Sequence, residues 1–178
     1  RLVTPALIVD LPTLRANLAE MKARCTATGL ALRPHGKSHK CSSLAREQIR
    51  AGANGICAAT PKEAAAFAHA GIAGILVTTP IVQPRHLDAM CCLHRAGADI
   101  TVVIDSVESI LNWEAALDHS DSPLPAFVDL DIGMGRTGAA SVRDAIVIAE
   151  RLADSRSLSY AGLQAYSGRV QHILDFAE

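Results

Sequence analysis

The sequence has few aromatic residues, no long apolar run and no excess of charge of one sign. Aromatic residues make up 3% of its 178 residues, and no apolar run approaches the roughly 20 residues that a membrane-spanning helix needs. Its 17 basic and 18 acidic residues leave a net charge of −1. We therefore predict a cytoplasmic protein that binds neither membrane nor nucleic acid.

The sequence also lacks a disulfide or metal pattern among its five cysteines. No two of them have C-x-x-C spacing, which is typical of reduced thiols in a cytosolic protein. The chain begins with Arg1 instead of Met, and its first residues predict no signal peptide. From this beginning we expect a fragment of a longer protein or a processed form.

Apolar runs of strand length alternate with alanine-rich segments of helix length. Thr60 followed by proline is a typical helix start, and glycine follows several of the helical segments. The alternation predicts a parallel α/β fold, either a doubly wound open sheet or a TIM barrel. The predicted strands are 6–10, 30–34, 55–60, 74–79, 99–105, 126–132 and 160–166, and the predicted helices are 12–28, 40–51, 61–70, 83–96, 106–118 and 141–153.

The stretch LRPHGKSHK, residues 32–40, concentrates three cations and two histidines. A strand period of two places Arg33, His35 and Lys37 on one face, with Lys37 at the carboxyl end. Parallel α/β folds build their sites at that end of the strands. Nearby positive charge and partial burial would favour the neutral amine of Lys37, the form that reacts with a carbonyl group.

Two other interpretations of this stretch stay open. One is a solvated basic turn, which is the ordinary role of a charge run. The other is a metal site formed by His35 and His39 in H-x-x-x-H spacing, which requires a helix to align the two rings. Pro34 and Gly36 disfavour a helix here, so we expect no metal site in this segment.

A glycine-rich loop follows the predicted strand at 126–132. Its G-x-G-x-x-G spacing, residues 133–138, matches a dinucleotide-binding fingerprint, and D-x-D-x-G partly matches a calcium loop. The loop follows a late strand, however, and Asp129 and Asp131 would share a strand face close to a bound pyrophosphate. No glutamate closes a calcium loop at the required distance. We therefore interpret the glycines as a tight turn that aims Arg136 over the mouth of a barrel.

The run GLQAYSGRVQH, residues 162–172, ends the last predicted strand. Alternation places Gln164 and Tyr166 together at the carboxyl end of that strand. Each side chain also fits an ordinary structural role, as an amide bonded to the backbone or an aromatic ring at a rim. His172 falls in a polar loop, where a solvated histidine is the default.

Four motifs, TPALIVD, LRPHGKSHK, DLDIGMGRTG and LQAYSGRVQH, follow one another along the chain. In order and separation they resemble the D-threonine aldolase and 3-hydroxyaspartate aldolase group of alanine racemase-like, fold-type III enzymes, which use pyridoxal 5′-phosphate. The most specific of the four is RPHxKxHK. The resemblance covers essentially all 178 residues, while those enzymes are about twice as long.

The resemblance implies an α/β fold of (β/α)8 TIM-barrel type, incomplete at about six of its eight barrel strands. Residues 1–178 would form a partial barrel domain that binds pyridoxal 5′-phosphate, with LRPHGK as its first strand and YAGLQAY as its sixth. TPALIVD would belong to the barrel or be shared with a second domain. The C-terminal β-domain of the family would be absent.

The resemblance also implies the site residues. Lys37 matches the lysine that forms the Schiff base with the cofactor and is the implied catalytic residue. Arg136 matches a loop arginine near the cofactor ring or its phenolic oxygen, and Gln164 and Tyr166 match the strand end beneath the cofactor. The implied cofactor-binding residues are Arg33, His35, Lys37, Arg136, Gln164 and Tyr166.

The implied activity is that of a lyase that cleaves D-β-hydroxy-α-amino acids of the D-threonine type to glycine and an aldehyde. The alternatives within the superfamily are a D-serine or 3-hydroxyaspartate dehydratase and an amino-acid racemase. Two others are a non-catalytic pyridoxal phosphate-binding homeostasis protein and a nucleotide-dependent oxidoreductase that uses the glycine loop. The implied partner is a small D-amino acid, and we expect a homodimer for the full-length form.

The sequence departs from the family pattern in ways that affect the site. Ser167 stands where many relatives have histidine, and Lys62 is displaced within CAATPKEA. The phosphate-binding loops of the last barrel strands and the metal-binding β-domain would lie beyond Glu178. We therefore expect no metal ligand in this chain, a divalent metal (Mn, Mg or Zn) only through the missing domain, and little activity if the chain functions alone.

Overall fold

Parallel strands and helices alternate along the chain in the computed structural model, which describes residues 3–117 and 122–173. The strands are β1 (Ile56–Ala58), β2 (Ile75–Val77), β3 (Ile100–Ile104), β4 (Leu124–Leu130) and β5 (Leu158–Ala165). The α-helices are α1 (Leu11–Thr28), α2 (Ser42–Arg50), α3 (Pro61–His69), α4 (Pro84–Arg95), α5 (Val107–Ala116) and α6 (Val142–Ala153), and 3-10 helices cover Gly36–Ser38 and Val170–His172.

The order of the strands decides between the two predicted architectures. The five strands form one sheet in the order β1-β2-β3-β4-β5, and every neighbouring pair is parallel. A doubly wound sheet reverses its strand order at a switch point, whereas a barrel adds each strand beside the previous one. From α3 to α6, each helix packs against the next one along the chain. The fold is therefore the predicted partial α/β barrel.

One further extended segment lies beside β1. The N–H of Cys57 donates to the carbonyl of Pro34 at 2.7 Å, and the N–H of Asn54 donates to that of Leu32 at 2.8 Å. A single parallel bridge joins His35 to Cys57. Together with the five strands this segment makes six parallel elements, which confirms the predicted six of the eight barrel positions.

The predicted strand at 6–10 is wrong. Residues 6–10 form no regular secondary structure, and Leu7 and Ile8 are 97% and 77% exposed. Apolar composition alone does not form a strand, because the backbone of a strand needs a hydrogen-bonded neighbour. Asp10 instead caps α1, its carboxylate accepting the N–H of Thr13 at 2.8 Å.

The core lies between the helices and the outward face of the sheet. Alternate strand residues that face the helices are fully buried, among them Ile56, Ile75, Val102 and Ala126. Burial of such apolar side chains is the main favourable term in folding. Within the described ranges, no helix is both long enough and apolar enough to span a membrane.

The helix starts follow the predicted capping residues. The hydroxyl of Thr60 accepts the N–H of Glu63 at 3.2 Å at the start of α3, and that of Ser106 accepts the N–H of Ser109 at 3.1 Å at the start of α5. Each cap satisfies one of the N–H groups left unpaired in the first turn of a helix. The caps therefore set where the chain leaves each strand end and turns into a helix.

Candidate active site

Lys37 lies at the carboxyl end of the segment beside β1, in the 3-10 helix Gly36–Ser38. The imidazole Nδ1 of His35 accepts the N–H of Lys37 at 3.3 Å, and the carbonyl of Gly36 accepts the N–H of Lys40 at 2.8 Å. These bonds turn the chain after His35, so Lys37 does not continue the strand face as predicted. Its side chain is exposed, so the predicted partial burial is also wrong.

The two histidines of this stretch hold its backbone. Each ring uses Nδ1 to accept the N–H two residues further on, at 3.3 Å for His35 and 3.1 Å for His39. In each ring, Nε2 contacts a side chain at 3.2 Å, the hydroxyl of Thr78 for His35 and the amide oxygen of Gln48 for His39. Among residues 3–117 and 122–173, no group of three potential ligands could hold a metal ion. Both ring nitrogens of each histidine are engaged in contacts within the protein.

The ring of His35 makes the stability of the fold depend on pH. Burial, and secondly the positive charge of Lys37, lower the pKa of His35 below its ordinary value of 6.5. The unfolded chain therefore binds more protons at His35, and stability falls as the pH is lowered through 6.5 towards the folded pKa. Protonation would also turn the Nδ1 acceptor into a donor that faces the N–H of Lys37.

We expect His35→Asn to reduce this loss of stability. The measurement is the free energy of unfolding by urea at two pH values, 7.5 and 5.5. They lie about one unit above and below the ordinary pKa of histidine. The wild-type protein should lose more stability between the two pH values than His35→Asn does. Equal losses in the two proteins would contradict the assignment.

A chain of side-chain hydrogen bonds crosses the mouth of the barrel. The Gln164 amide nitrogen Nε2 donates to the Oδ1 atom of Asp129 at 2.7 Å and to the backbone carbonyl of Thr78 at 3.2 Å. The hydroxyl of Thr137 donates to the Oδ2 atom of Asp129 at 2.9 Å. Gln164 on β5 therefore reaches the end of β2, which requires the sheet to curve around the site.

A bulge in β5 brings Gln164 to its position. The register of β4 and β5 shifts between Ala126 and Phe127, which pair with Tyr160 and Gly162 respectively. Gly162 has a φ angle of 132°, in a region that favours glycine. After the bulge, Gln164 pairs with Asp129 across the two strands.

Arg136 and Tyr166 form a second contact at the same end of the sheet. The guanidinium carbon of Arg136 lies 5.2 Å from the centre of the Tyr166 ring, a cation–π geometry. Both side chains line a small pocket with Gln164 and Asp129. The placement of Arg136, Gln164 and Tyr166 together agrees with the sequence analysis, and their cofactor-binding role stays a prediction.

The glycine loop binds a carboxylate of its own chain. The Asp131 carboxylate accepts the N–H groups of Gly133, Met134 and Gly135 at 2.9, 2.8 and 3.0 Å. These bonds, that of Gly135 first, lower the pKa of Asp131 below its ordinary value. A dinucleotide would need the same N–H groups for its pyrophosphate, so the geometry disfavours the fingerprint interpretation.

The two aspartates near this loop do not share a strand face. Strand β4 ends at Leu130, and Asp131 turns into the loop, where its N–H donates to the carbonyl of Ala139 at 3.0 Å. Asp129 instead points into the barrel and is 2% exposed. The prediction of a shared face is wrong because the amide cradle of the loop draws Asp131 out of the strand.

Arg33 lies in the extended segment that precedes Lys37. Its Nε atom is buried and has no hydrogen-bond partner among the described residues. The carbonyl of Arg33 accepts the thiol of Cys57 at 3.5 Å, and burial raises the pKa of that thiol. In the described part of the chain, no hydrogen bond or ion pair joins Arg33 or Lys37 to the pocket that contains Gln164.

The sequence analysis missed three residues of the site. Thr78 links His35 to Gln164, Asp129 holds Gln164, and burial, together with the charge of Asp129, raises the pKa of Asp105. Each of the three lies at or just after the end of an apolar strand. A polar residue at that position of a parallel strand is a signal that the sequence alone could have supplied.

Residues 9–174 match the model of the alanine racemase N-terminal domain. The chain belongs to this family. One relative is the 3-hydroxy-D-aspartate aldolase from Paracoccus denitrificans (strain Pd 1222). It is 36% identical to this chain over 176 residues, which are 98% of this chain and 46% of the relative. D-threonine aldolase from an Arthrobacter species is 36% identical over 172 residues, 97% of this chain and 45% of the relative.

A solved structure of the family has the same fold. The D-threonine aldolase from Filomicrobium marinum matches with a TM-score of 0.91 and 33% sequence identity, over 96% of this chain and 46% of that one. The likeness confirms the alanine racemase N-terminal type of barrel. The chain spans about half the length of the curated relatives it matches.

Proposed function

We propose that the chain is the barrel part of a pyridoxal 5′-phosphate-dependent lyase that cleaves D-β-hydroxy-α-amino acids, such as D-threonine, to glycine and an aldehyde. The observation that carries the proposal is an exposed lysine, Lys37, at the same end of the sheet as the pocket of Arg136, Gln164 and Tyr166. The relationship to a 3-hydroxy-D-aspartate aldolase and a D-threonine aldolase supports the substrate class.

The described residues fit this cofactor. The amine of Lys37 is accessible for a covalent link to an aldehyde, and the buried Nε of Arg33 is a donor that lacks a partner among the described residues. Arg136 adds a positive charge beside the ring of Tyr166. When bound, pyridoxal 5′-phosphate would supply an electron-poor ring that accepts the electron pair of the broken Cα–Cβ bond. We assign its contacts to Arg33, His35, Lys37, Arg136, Gln164 and Tyr166.

The side chains around Lys37 orient it for this reaction. The neutral ring of His35 holds the backbone of Lys37 through Nδ1 and is itself held by Thr78. Such support fixes the direction from which the amine meets a ligand. His35 therefore acts mainly by holding the turn. Arg136 is held on the ring of Tyr166 and supplies positive charge at the pocket that it lines with Gln164.

We propose that a part of the family architecture outside this chain holds the metal. We assign a divalent metal to the part of the full-length relatives that this chain does not span, since the described residues offer no group of three ligands. We also propose a homodimer for the full-length form.

The products released from D-threonine test the proposal. In the full-length form, with pyridoxal 5′-phosphate and a divalent metal added, we expect glycine and acetaldehyde from D-threonine and neither from L-threonine, measured by chromatography. Release of 2-oxobutanoate and ammonia would instead identify the dehydratase alternative. A cofactor bound at Lys37 of the full-length form without any turnover would identify the non-catalytic binding protein.

A further inference from the structure

Asp129 is a buried carboxylate in the mouth of the barrel. It is 2% exposed, and in the described ranges no cation lies within salt-bridge distance of it. A buried carboxylate is unfavourable unless hydrogen bonds replace its water. Its two oxygens accept bonds from different parts of the chain, Gln164 on β5 and Thr137 in the glycine loop.

The partners of Gln164 determine how its side-chain amide is oriented. The backbone carbonyl of Thr78 can only accept a hydrogen bond. The atom of Gln164 that faces this carbonyl and Asp129 must therefore be the nitrogen Nε2, which has two N–H bonds to donate. Both donors of the amide are used, which leaves the oxygen Oε1, for which no partner is found among the described residues, to bind a ligand.

We propose that Asp129 is a positioning residue that fixes the Gln164 amide, so that this strand end binds a hydrogen-bond donor of the ligand through Oε1. The orientation of the amide follows from the structure alone, while the ligand rests on the proposed function. A donor at this place can come from the cofactor, as a ring N–H or a hydroxyl, or from the β-hydroxyl of the amino-acid substrate.

The same carboxylate also positions the loop that carries Arg136. Thr137 is the next residue after Arg136, and its hydroxyl donates to the second oxygen of Asp129 at 2.9 Å. A neutral side chain of the same shape, as in Asp129→Asn, keeps one acceptor oxygen for Gln164. Asp129→Ala removes both acceptors. Comparison of the two variants therefore separates loss of the carboxylate from loss of the hydrogen bond to Gln164.

The orientation can be tested without any cofactor by nuclear magnetic resonance of the 15N-labelled chain. Gln164→Leu identifies the side-chain amide signals of Gln164, and the exposed Gln83 in the same spectrum is the reference for rapid exchange with water. We expect both Gln164 protons to exchange more slowly than those of Gln83 in the wild-type protein and in Asp129→Asn. In Asp129→Ala, one of them should exchange rapidly.

Exchange of Gln164 as fast as that of Gln83 in the wild-type protein would overturn the assignment, and this comparison does not require any Asp129 variant to fold. Unchanged protection in a folded Asp129→Ala protein would overturn the positioning role of Asp129. These results do not depend on pyridoxal 5′-phosphate, so they separate a failure of this inference from a failure of the proposed function.

The donor on the ligand is tested with Gln164→Met, which keeps the size of the side chain and removes Oε1 together with Nε2. Asp129→Ala, which removes a partner of Nε2 and keeps Oε1, is the matched control. Loss of one hydrogen bond should weaken binding by about 2–10-fold. Weaker binding of pyridoxal 5′-phosphate itself, measured by its visible absorbance, would place the donor on the cofactor. If the variant no longer binds D-threonine more tightly than D-2-aminobutyrate, which lacks the β-hydroxyl, the hydrogen-bond donor belongs to the substrate. If neither changes in a protein whose wild type binds the cofactor, the proposed donor contact is wrong.

Discussion

Lys37→Ala is expected to abolish covalent attachment of pyridoxal 5′-phosphate to the chain. Reduction with borohydride makes the link between a lysine amine and the cofactor permanent, and peptide mass spectrometry then identifies the labelled residue. In the wild-type protein the label should concentrate on Lys37. In Lys37→Ala it should fall to the background found on the other lysines, together with the visible absorbance of the bound cofactor, because alanine has no amine to form the link.

Lys40→Ala is the matched control for this experiment. Lys40 is exposed and close in sequence, but its backbone has a φ angle of 48° and its ammonium lies 3.9 Å from the carboxylate of Glu63. This backbone conformation and the contact with Glu63 direct the side chain of Lys40 towards α3 and not towards the pocket of Arg136. Lys40→Ala should therefore retain the label on Lys37. Specific labelling of Lys40 in the wild-type protein, or normal labelling of the Lys37→Ala chain, would reject Lys37 as the reactive amine.

The elements of the barrel could be predicted from the sequence because local patterns determine them. Apolar runs of three to eight residues coincide with β1 to β5, and caps such as Thr60 and Ser106 set the helix starts. The parallel alternation of strands and helices also follows from these patterns, whereas the strand order, which distinguishes a barrel from a doubly wound sheet, became known only from the structure. The segment at 6–10 failed because the same apolar pattern occurs there without a neighbouring strand.

The site was harder to predict because its geometry depends on residues that are far apart in the sequence. Gln164 contacts Thr78 across 86 positions, and no local pattern predicts that bond. The turn at Lys37 depends on the ring of His35, which replaces strand geometry with a 3-10 helix. Alternation could therefore identify which residues gather at the strand ends, but not which of them contact one another.

A single added carbon at Gly36, next to Lys37, is expected to have a large effect. A Cβ atom at Gly36 would lie 2.4 Å from the Cζ atom and 2.5 Å from the Cε2 atom of Phe67, far inside van der Waals contact. Phe67 is a residue of α3 that faces the core and is 3% exposed, so its ring has no free space to move into. Overpacking of this kind destabilises proteins by about 1–3 kcal/mol. Gly36→Ala should therefore lower the free energy of unfolding by that amount and reduce the labelling of Lys37.

A second substitution separates the clash from any other effect of alanine. Phe67→Leu removes the ring atoms that the new methyl group would meet, and by itself should cost about 1 kcal/mol for the space it leaves. In the double variant each change relieves the other, so the combined loss of stability should be smaller than the sum of the single losses by about 0.5–3 kcal/mol. Labelling of Lys37 should also recover in the double variant, because the turn regains its position. Strictly additive losses in urea unfolding, with no recovery of labelling, would show that Phe67 does not hold the turn and that the position of Lys37 is set by His35 and the backbone alone.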